Sequence, residues 1–351
     1  YNAMGLAQSA VYFTAEEKGQ RIALIRLKNM GEQPRRISVS VFENAELQEK
    51  RADRFCTGGV KDGYAYVRRG DGIQFLYSPD AACLCADKNA FLGAGTVAAP
   101  EAMRYEAFLP RAGGGVCLAL RMFAELEPYA ERVFAVVLSG GKTEAEIEES
   151  IAGFSVQEAE GELARVKGLW EKRLRSIEIQ TPDARLNVLM NGWLLYQTWS
   201  SRFLARCGFS QIGGAYGFRD QLQDMLSLQW VDPELARNHI LRCAMHQFPE
   251  GDVQHWWHEG FGGVRTHISD DRLWLVYVAS EYADMTGDYA IFDEKIPYLE
   301  GRAPELGKDV YENAKQSEFK ESLYEHCVKA LTCSMRLGSD GLPRMGDGDW
   351  N

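Results

Sequence analysis

The sequence contains no run of about 18 apolar residues, so nothing in it reads as a membrane-spanning helix. It has no basic arm and no long stretch of one charge. Its 39 Lys and Arg stand against 50 Asp and Glu, a net charge of −11. That acidic balance argues against a nucleic-acid backbone or an anionic membrane as partner. The eight cysteines (Cys56, Cys83, Cys85, Cys117, Cys207, Cys243, Cys327 and Cys333) form no CxxC pair and lie mostly in apolar runs. This disfavours a zinc site and fits buried free thiols in a reducing cytoplasm. Tyr1–Ala10 lacks the basic start and apolar middle of a secretion signal, and the chain opens without a start residue. No internal repeat is visible.

What is present is bulk apolar content. With 351 residues and 46% hydrophobic side chains, the chain can bury a large core and suggests two domains, or one large domain and part of another.

The first 140 or so residues read as β-rich. RIALIRLK (21–28) and RISVSVF (36–42) are strand-like, and the turn-rich NMGEQP between them predicts a hairpin. Further strands are expected at Tyr64–Arg68, Ile73–Tyr77, Val116–Leu126 and Arg132–Leu138, separated by Gly- or Pro-containing links. This spacing predicts an antiparallel β-sandwich. After Ser139 the period changes. Thr143–Ala152 and Val156–Ile177 carry apolar residues at helical spacing and read as linker helices leaving the sandwich.

From Thr181-Pro182-Asp183, a helix-start signal, the chain reads as mainly helical. Helices are expected over Arg185–Arg206, Arg219–Trp230, from Asp232 to about Gln247, from Ser269-Asp270-Asp271 to Thr286, and from about Glu318 to Arg336. Antiparallel helix pairs with ligand-type residues in the connections predict an α/α toroid.

Residues 213–271 concentrate the chemistry. Glycines 213, 214 and 217 free the backbone for close approach to a ligand. Arg219 and Asp220 open a helix, and Asp224 lies one turn beyond Asp220. A carboxylate gripping two sugar hydroxyls is one reading, and a cap with an Arg–Asp salt bridge is the ordinary alternative. Gln254-His255-Trp256-Trp257-His258 reads as a loop, because GDV precedes it and EGFGG follows. His255 and His258 would make a metal pair only on a helix, and no third ligand is evident. A tryptophan stacked on a ligand ring suits the segment better, with Arg265, Asp270 and Asp271 close behind. Capping a helix is the plain alternative for the two aspartates. The last stretch, DGLPRMGDGDWN (340–351), lacks the closing Glu of a calcium loop and reads as a tight loop presenting Trp350. A cleft lined by aromatic rings, carboxylates, amides and guanidinium groups suits a sugar.

GGAYGFRDQLQD, EGDVQHWWH, GVRTHISDDRLWL and GLPRMGDGDWN resemble the motifs of the inverting phosphorylases of glycoside hydrolase family 94, and LMNGWLLYQTWSSRFLARCGF (189–209) resembles the approach to the first. The form of the first motif looks closest to the phosphorylase-like domain of cyclic β-1,2-glucan synthases. The resemblance implies a β-sandwich (1–140, cut short at its start), linker helices (141–180) and the first part of an (α/α)6 barrel (181–351). It implies phosphorolysis of a β-linked gluco-disaccharide or oligosaccharide with inversion. Inorganic phosphate is the co-substrate, with no other cofactor and no metal, and the setting is a cytoplasmic homodimer. Asp220 and Trp350 match sugar-holding residues, and Arg206 resembles an arginine of the phosphate site. Arg219, Gln254, His255, Trp256, Arg265 and Asp270 lie where the family builds its cleft. The family's general acid is the Asp completing GDWND, one residue past Asn351, so no catalytic residue is assigned within the chain. Gly214 stands where cellobiose phosphorylases carry a sugar-binding arginine. The alternative is a non-catalytic glucan-binding or chain-length-controlling domain of a larger glucan synthase. An α/α-barrel hydrolase using water would need a second carboxylate as base. An incomplete ring would expose a large apolar face, so aggregation of the isolated 351 residues is expected.

Overall fold

The computed structural model describes the chain except for residues 1, 4, 46–55, 111–113, 205–213, 259–261, 306, 336, 343 and 345–351. It divides into two compact units, Tyr1–Trp170 and Glu171–Asn351.

The first unit is built on strands β1 (Asn2–Ala3), β2 (Leu6–Ala15), β3 (Gln20–Asn29), β4 (Arg35–Glu43), β5 (Thr57–Lys61), β6 (Tyr64–Arg69), β7 (Gly72–Tyr77), β8 (Cys83–Asp87), β9 (Val116–Leu126) and β10 (Glu131–Gly141), with a short helix α1 (Lys88–Leu92) after β8. They form an antiparallel seven-stranded sheet in the order β1-β2-β3-β10-β7-β6-β5 and a three-stranded sheet β4-β9-β8. One apolar cluster joins the two sheets: Ile25, Leu27, Val67, Leu76, Phe134 and Val136 from the first meet Leu118, Leu120 and Met122 from the second. Each such side chain contributes roughly 1.5–3 kcal/mol by leaving water.

The hairpin expected between residues 21–28 and 36–42 does not form. β3 pairs with β2 and β10, whereas β4 pairs with β9 in the other sheet. The corner is set by Asn29, fully buried, whose amide donates to the carbonyls of Gln33, Leu126 and Glu127. These bonds hold the chain where it leaves one sheet for the next. Helix α2 (Glu144–Ile151) is capped by Thr143, whose hydroxyl accepts from the Glu146 amide, and α3 (Val156–Leu174) follows. Both lie against the seven-stranded sheet: Ile147, Phe154 and Ala159 share a core with Ile22, Phe75 and Val137.

The second unit starts with α4 (Ala184–Val188) and α5 (Leu194–Gln197), separated by a wide π-type turn at Leu189–Trp193. The single helix expected over Arg185–Arg206 is thus broken, at Asn191 and at Gly192, whose φ of 137° only glycine adopts without strain. Asp183, rather than Thr181, caps the start. Two asparagines clasp the extended segment before it. Asn191 bonds both the amide and the carbonyl of Ile179, and Asn187 does the same to Thr181.

Then come β11 (Tyr216–Gly217), α6 (Phe218–Leu228), α7 (Pro233–Ala244), β12 (Gln254–His258), β13 (Gly262–Arg265), α8 (Asp271–Thr286), β14 (Lys295–Glu300), β15 (Val310–Glu312), β16 (Lys315–Ser322) and α9 (Leu323–Ser334). The apolar positions of the helices recur every three or four residues and are buried: Phe218, Leu222 and Met225 on α6, Ala236, Ile240 and Cys243 on α7, Leu275, Val278 and Tyr282 on α8. Asp232 caps α7 as its Asp-Pro signal predicts, accepting from the Leu235 amide. Two expectations fail. Residues 254–258 are a strand of the sheet β11-β12-β13-β15, not a loop, and the helix expected from Glu318 starts only at Leu323, because residues 315–322 pair with β14 as β16. Ser322 caps α9, accepting from the Glu325 amide. No helix among the described residues is long and apolar enough to cross a membrane.

Candidate functional site

The residues singled out by type meet around β11, β12 and the starts of α6 and α8. Gly217 ends β11 and caps α6, and it is the ladder partner of Trp256 on β12. Asp220 stands in the first turn of α6, and its carboxylate folds back over Gly217 so closely that a Cβ there would overlap it. The half-buried carboxylate of Asp220 thus lies over Gly217, whose ladder partner is the half-buried Trp256. Tyr311 on β15 and His258 complete the aromatic surround of Trp256, with ring centroids 6.0 and 5.6 Å away. Tyr311 escaped sequence reading because its short strand carries no apolar period. Trp257, by contrast, is core, stacked between His246 and Tyr216.

Arg219 points away from its neighbour in sequence. Its Nη1 donates to Oδ2 of Asp270 at 2.8 Å, and Trp274 Nε1 donates to the same oxygen at 3.4 Å. The next residue, Asp271, is buried at the first position of α8, with Oδ2 2.8 Å from Nδ1 of His255 and no partner for Oδ1. Burial pushes its carboxyl above the usual range, opposed by His255 and Arg219. Two adjacent acids thus hold two different elements, Asp270 the start of α6 and Asp271 the strand β12.

Gln254 and Arg265 face each other across the β12–β13 ladder, but their polar atoms serve the fold. Gln254 is buried, its Oε1 2.8 Å from Nδ1 of His246. Arg265 is 2% exposed and lies over the Phe248 ring. It donates bidentately to Asp252 at 2.7 Å through each nitrogen, and once to Glu250 at 3.0 Å. Burial works against its charge, and these carboxylates overcome that and hold it above its usual range. Asp252 and Glu250 were not singled out from the sequence, because only the fold brings them under Arg265. Arg206 and Trp350 lie outside the described residues. Among the described residues no group of His, Cys, Asp or Glu is arranged to hold a metal. An acceptor carboxylate and a half-buried indole linked through the Gly217–Trp256 ladder pair are the residue types that suit a ring bearing hydroxyls on its edge.

Residues 169–351 match the family described as "Glycosyl hydrolase 94 superfamily, catalytic domain". The chain belongs to this family. Every site residue named above falls inside the family-94 segment. The cyclic β-(1,2)-glucan synthase NdvB of Rhizobium meliloti (strain 1021) is 37% identical over 284 residues, covering 79% of this chain and 10% of that protein. The N,N'-diacetylchitobiose phosphorylase of Vibrio proteolyticus is 26% identical, over 67% of this chain and 31% of that protein. The 1,2-β-oligoglucan phosphorylase of Listeria innocua serovar 6a is 26% identical, over 40% of this chain and 13% of that protein. The chain therefore spans less than a third of each of these relatives. A solved structure assigned as a kojibiose phosphorylase, from the human microbiome, shares the fold with a TM-score of 0.52 at 8% identity, over 83% of this chain and 41% of that one.

Proposed function

We propose that this chain belongs to a glycoside phosphorylase that cleaves a β-linked gluco-oligosaccharide with inorganic phosphate and releases a sugar 1-phosphate with inversion. The observation that carries the reading is Asp220 folded over Gly217, the ladder partner of the half-buried Trp256, inside a family-94 segment. In this reading Asp220 and Trp350 hold the sugar whose bond breaks, Trp256 stacks on the substrate, and Arg206 helps hold phosphate. Arg219 and Asp270 keep the start of α6 in place. The family pattern expects the general acid at the position following Asn351, where an aspartate would protonate the leaving oxygen. Phosphate is already an anion, so it needs no base, only positive charge to bind it. The two-sheet unit is taken as the family's β-sandwich (1–140), residues 141–180 as its linker and residues 181–351 as the first part of an (α/α)6 toroid. A cytoplasmic homodimer follows from the same likeness.

The favoured substrate is a β-1,2-linked glucan. Supporting it are the likeness to the cyclic β-(1,2)-glucan synthase and the glycine at 214, where cellobiose phosphorylases carry an arginine. The test is sugar 1-phosphate release by the full-length protein from β-1,2-, β-1,3- and β-1,4-linked gluco-oligosaccharides, with and without phosphate. Phosphate-independent release of free sugar would sink the proposal. The likeness to the cyclic β-(1,2)-glucan synthase also supports a second reading, a glucan-binding or chain-length-controlling domain of a larger synthase. Sugar binding by calorimetry without turnover on any substrate would select it.

A further inference from the structure

β12 is not a regular strand. Gln254 faces Arg265 and Trp256 faces Val264, so β12 carries one extra residue, His255, as a bulge. In an unbroken strand Gln254 and Trp256 would share a face. The bulge resets that alternation: Gln254 is 4% exposed, whereas Trp256 next along is half-buried. A bulge of this kind re-aims a side chain, and something must hold its geometry.

What holds it is the bond between His255 and Asp271, both inside the protein. We propose that His255 and Asp271 are a positioning pair that sets the indole of Trp256 as the stacking face for a sugar ring. The inference rests on the reading of this site as a sugar site and adds how its aromatic platform is aimed. Asp271 is an odd choice for packing alone. It is 1% exposed, one oxygen has no partner, and such a carboxylate is costly to bury. An apolar residue would fill the space, but it would leave the bulge unpinned.

The same helix start reaches the carboxylate side of the site. Asp270, one residue earlier, takes the guanidinium of Arg219, and Arg219 directly precedes Asp220. The spacing between the sugar-gripping carboxylate and the stacking face is thus referred to one rigid point, the first turn of α8. Neither His255 nor Asp271 needs to touch the ligand.

The test is a double-mutant cycle on sugar affinity, read by calorimetry without phosphate, in the full-length protein with β-1,2-, β-1,3- and β-1,4-linked glucotrioses. Asp271→Asn keeps the size of the side chain and a hydrogen-bonding partner for the imidazole. It is expected to weaken binding by roughly tenfold, the scale on which contacting residues couple. Trp256→Ala removes the platform. Because Asp271 acts through Trp256, the double variant should bind no more weakly than Trp256→Ala alone. Losses that multiply, or an unchanged affinity in Asp271→Asn, overturn the pair while leaving the sugar site standing. A wild-type protein that binds none of the three sugars overturns the sugar-site reading and the positioning role with it. His255→Gln runs the same cycle from the other partner if Asp271→Asn fails to fold.

Discussion

Arg219 donates to Asp270 at 2.8 Å and leaves Asp220, the next residue, out of any ion pair among the described residues. The Arg219–Asp220 salt bridge that was the alternative for the FRD motif does not form, because Arg219 pairs with Asp270, 51 positions away. In the proposed reading the acceptor oxygens of Asp220 are the ones offered to a sugar. The ionic work at this helix start is done by Asp270, and removing the charge of Asp220 should leave the fold alone. Asp220→Asn is expected to lower sugar affinity by roughly 100-fold or more, the loss of one to two charge-assisted hydrogen bonds, with little change in Tm. Calorimetry and a thermal melt on the same sample check both halves.

Arg265 should behave in the opposite way. Arg265→Ala strips the largely buried Asp252, and the exposed Glu250, of their cation. A loss of about 3–5 kcal/mol is expected, read as a lower urea midpoint. If the variant instead kept its stability and lost only sugar affinity, Arg265 would belong to the ligand rather than the fold.

His326 adds a pH dependence to the second unit. The ring is fully buried, stacked 4.0 Å from Tyr298, and Nε2 donates to the Ile296 carbonyl. Burial lowers its pKa from 6.5 to about 4. The unfolded chain therefore binds a proton that the folded one refuses between those two values. Its contribution is complete above about pH 6.5 and is lost as pH falls towards 4, up to about 3 kcal/mol. Urea midpoints at pH 7 and pH 4.5 should differ accordingly, and His326→Gln should flatten that part of the curve.

Gly214 has φ of 72°, with nothing among the described residues within 4 Å of where a Cβ would stand. Gly214→Arg should therefore fit without a clash and cost about 1–2 kcal/mol in backbone strain. If this position selects against β-1,4 linkages, the variant should raise turnover of β-1,4-linked glucobiose relative to the β-1,2 form. An unchanged ratio would remove Gly214 from the account of specificity.

Much of the fold could be read along the chain. The strands at 116–126 and 132–138 are apolar runs bounded by Gly and Pro, and Asp232-Pro233 announces α7. What could not be read was pairing. Residues 21–28 and 36–42 look like hairpin partners, yet the buried amide of Asn29 sends them to different sheets. KQSEFKES (315–322) shows mostly exposed side chains and so offers no period to detect. At the site the same division holds. The types in FRD and QHWWH were visible, and so was the expectation that the two tryptophans are not both core. That Trp257 is the core member, that Asp270 answers Arg219, and that Asp252 lies under Arg265 are long-range facts that only the folded chain contains.

The clasp of Asn191 on Ile179 has a chemical side. An asparagine followed by glycine is prone to cyclise, its side-chain carbonyl carbon attacked by the next backbone nitrogen with loss of ammonia, and water then opens the ring to leave a carboxylate. Here the Asn191 amide is held by two hydrogen bonds, at 2.7 and 2.8 Å, which keep it from turning towards Gly192. While the clasp is closed the amide is protected. Each opening exposes it to an irreversible change, after which a carboxylate would face the Ile179 carbonyl and the clasp could not close again. Deamidation at this one site would then record how often the first helix of the second unit has come loose.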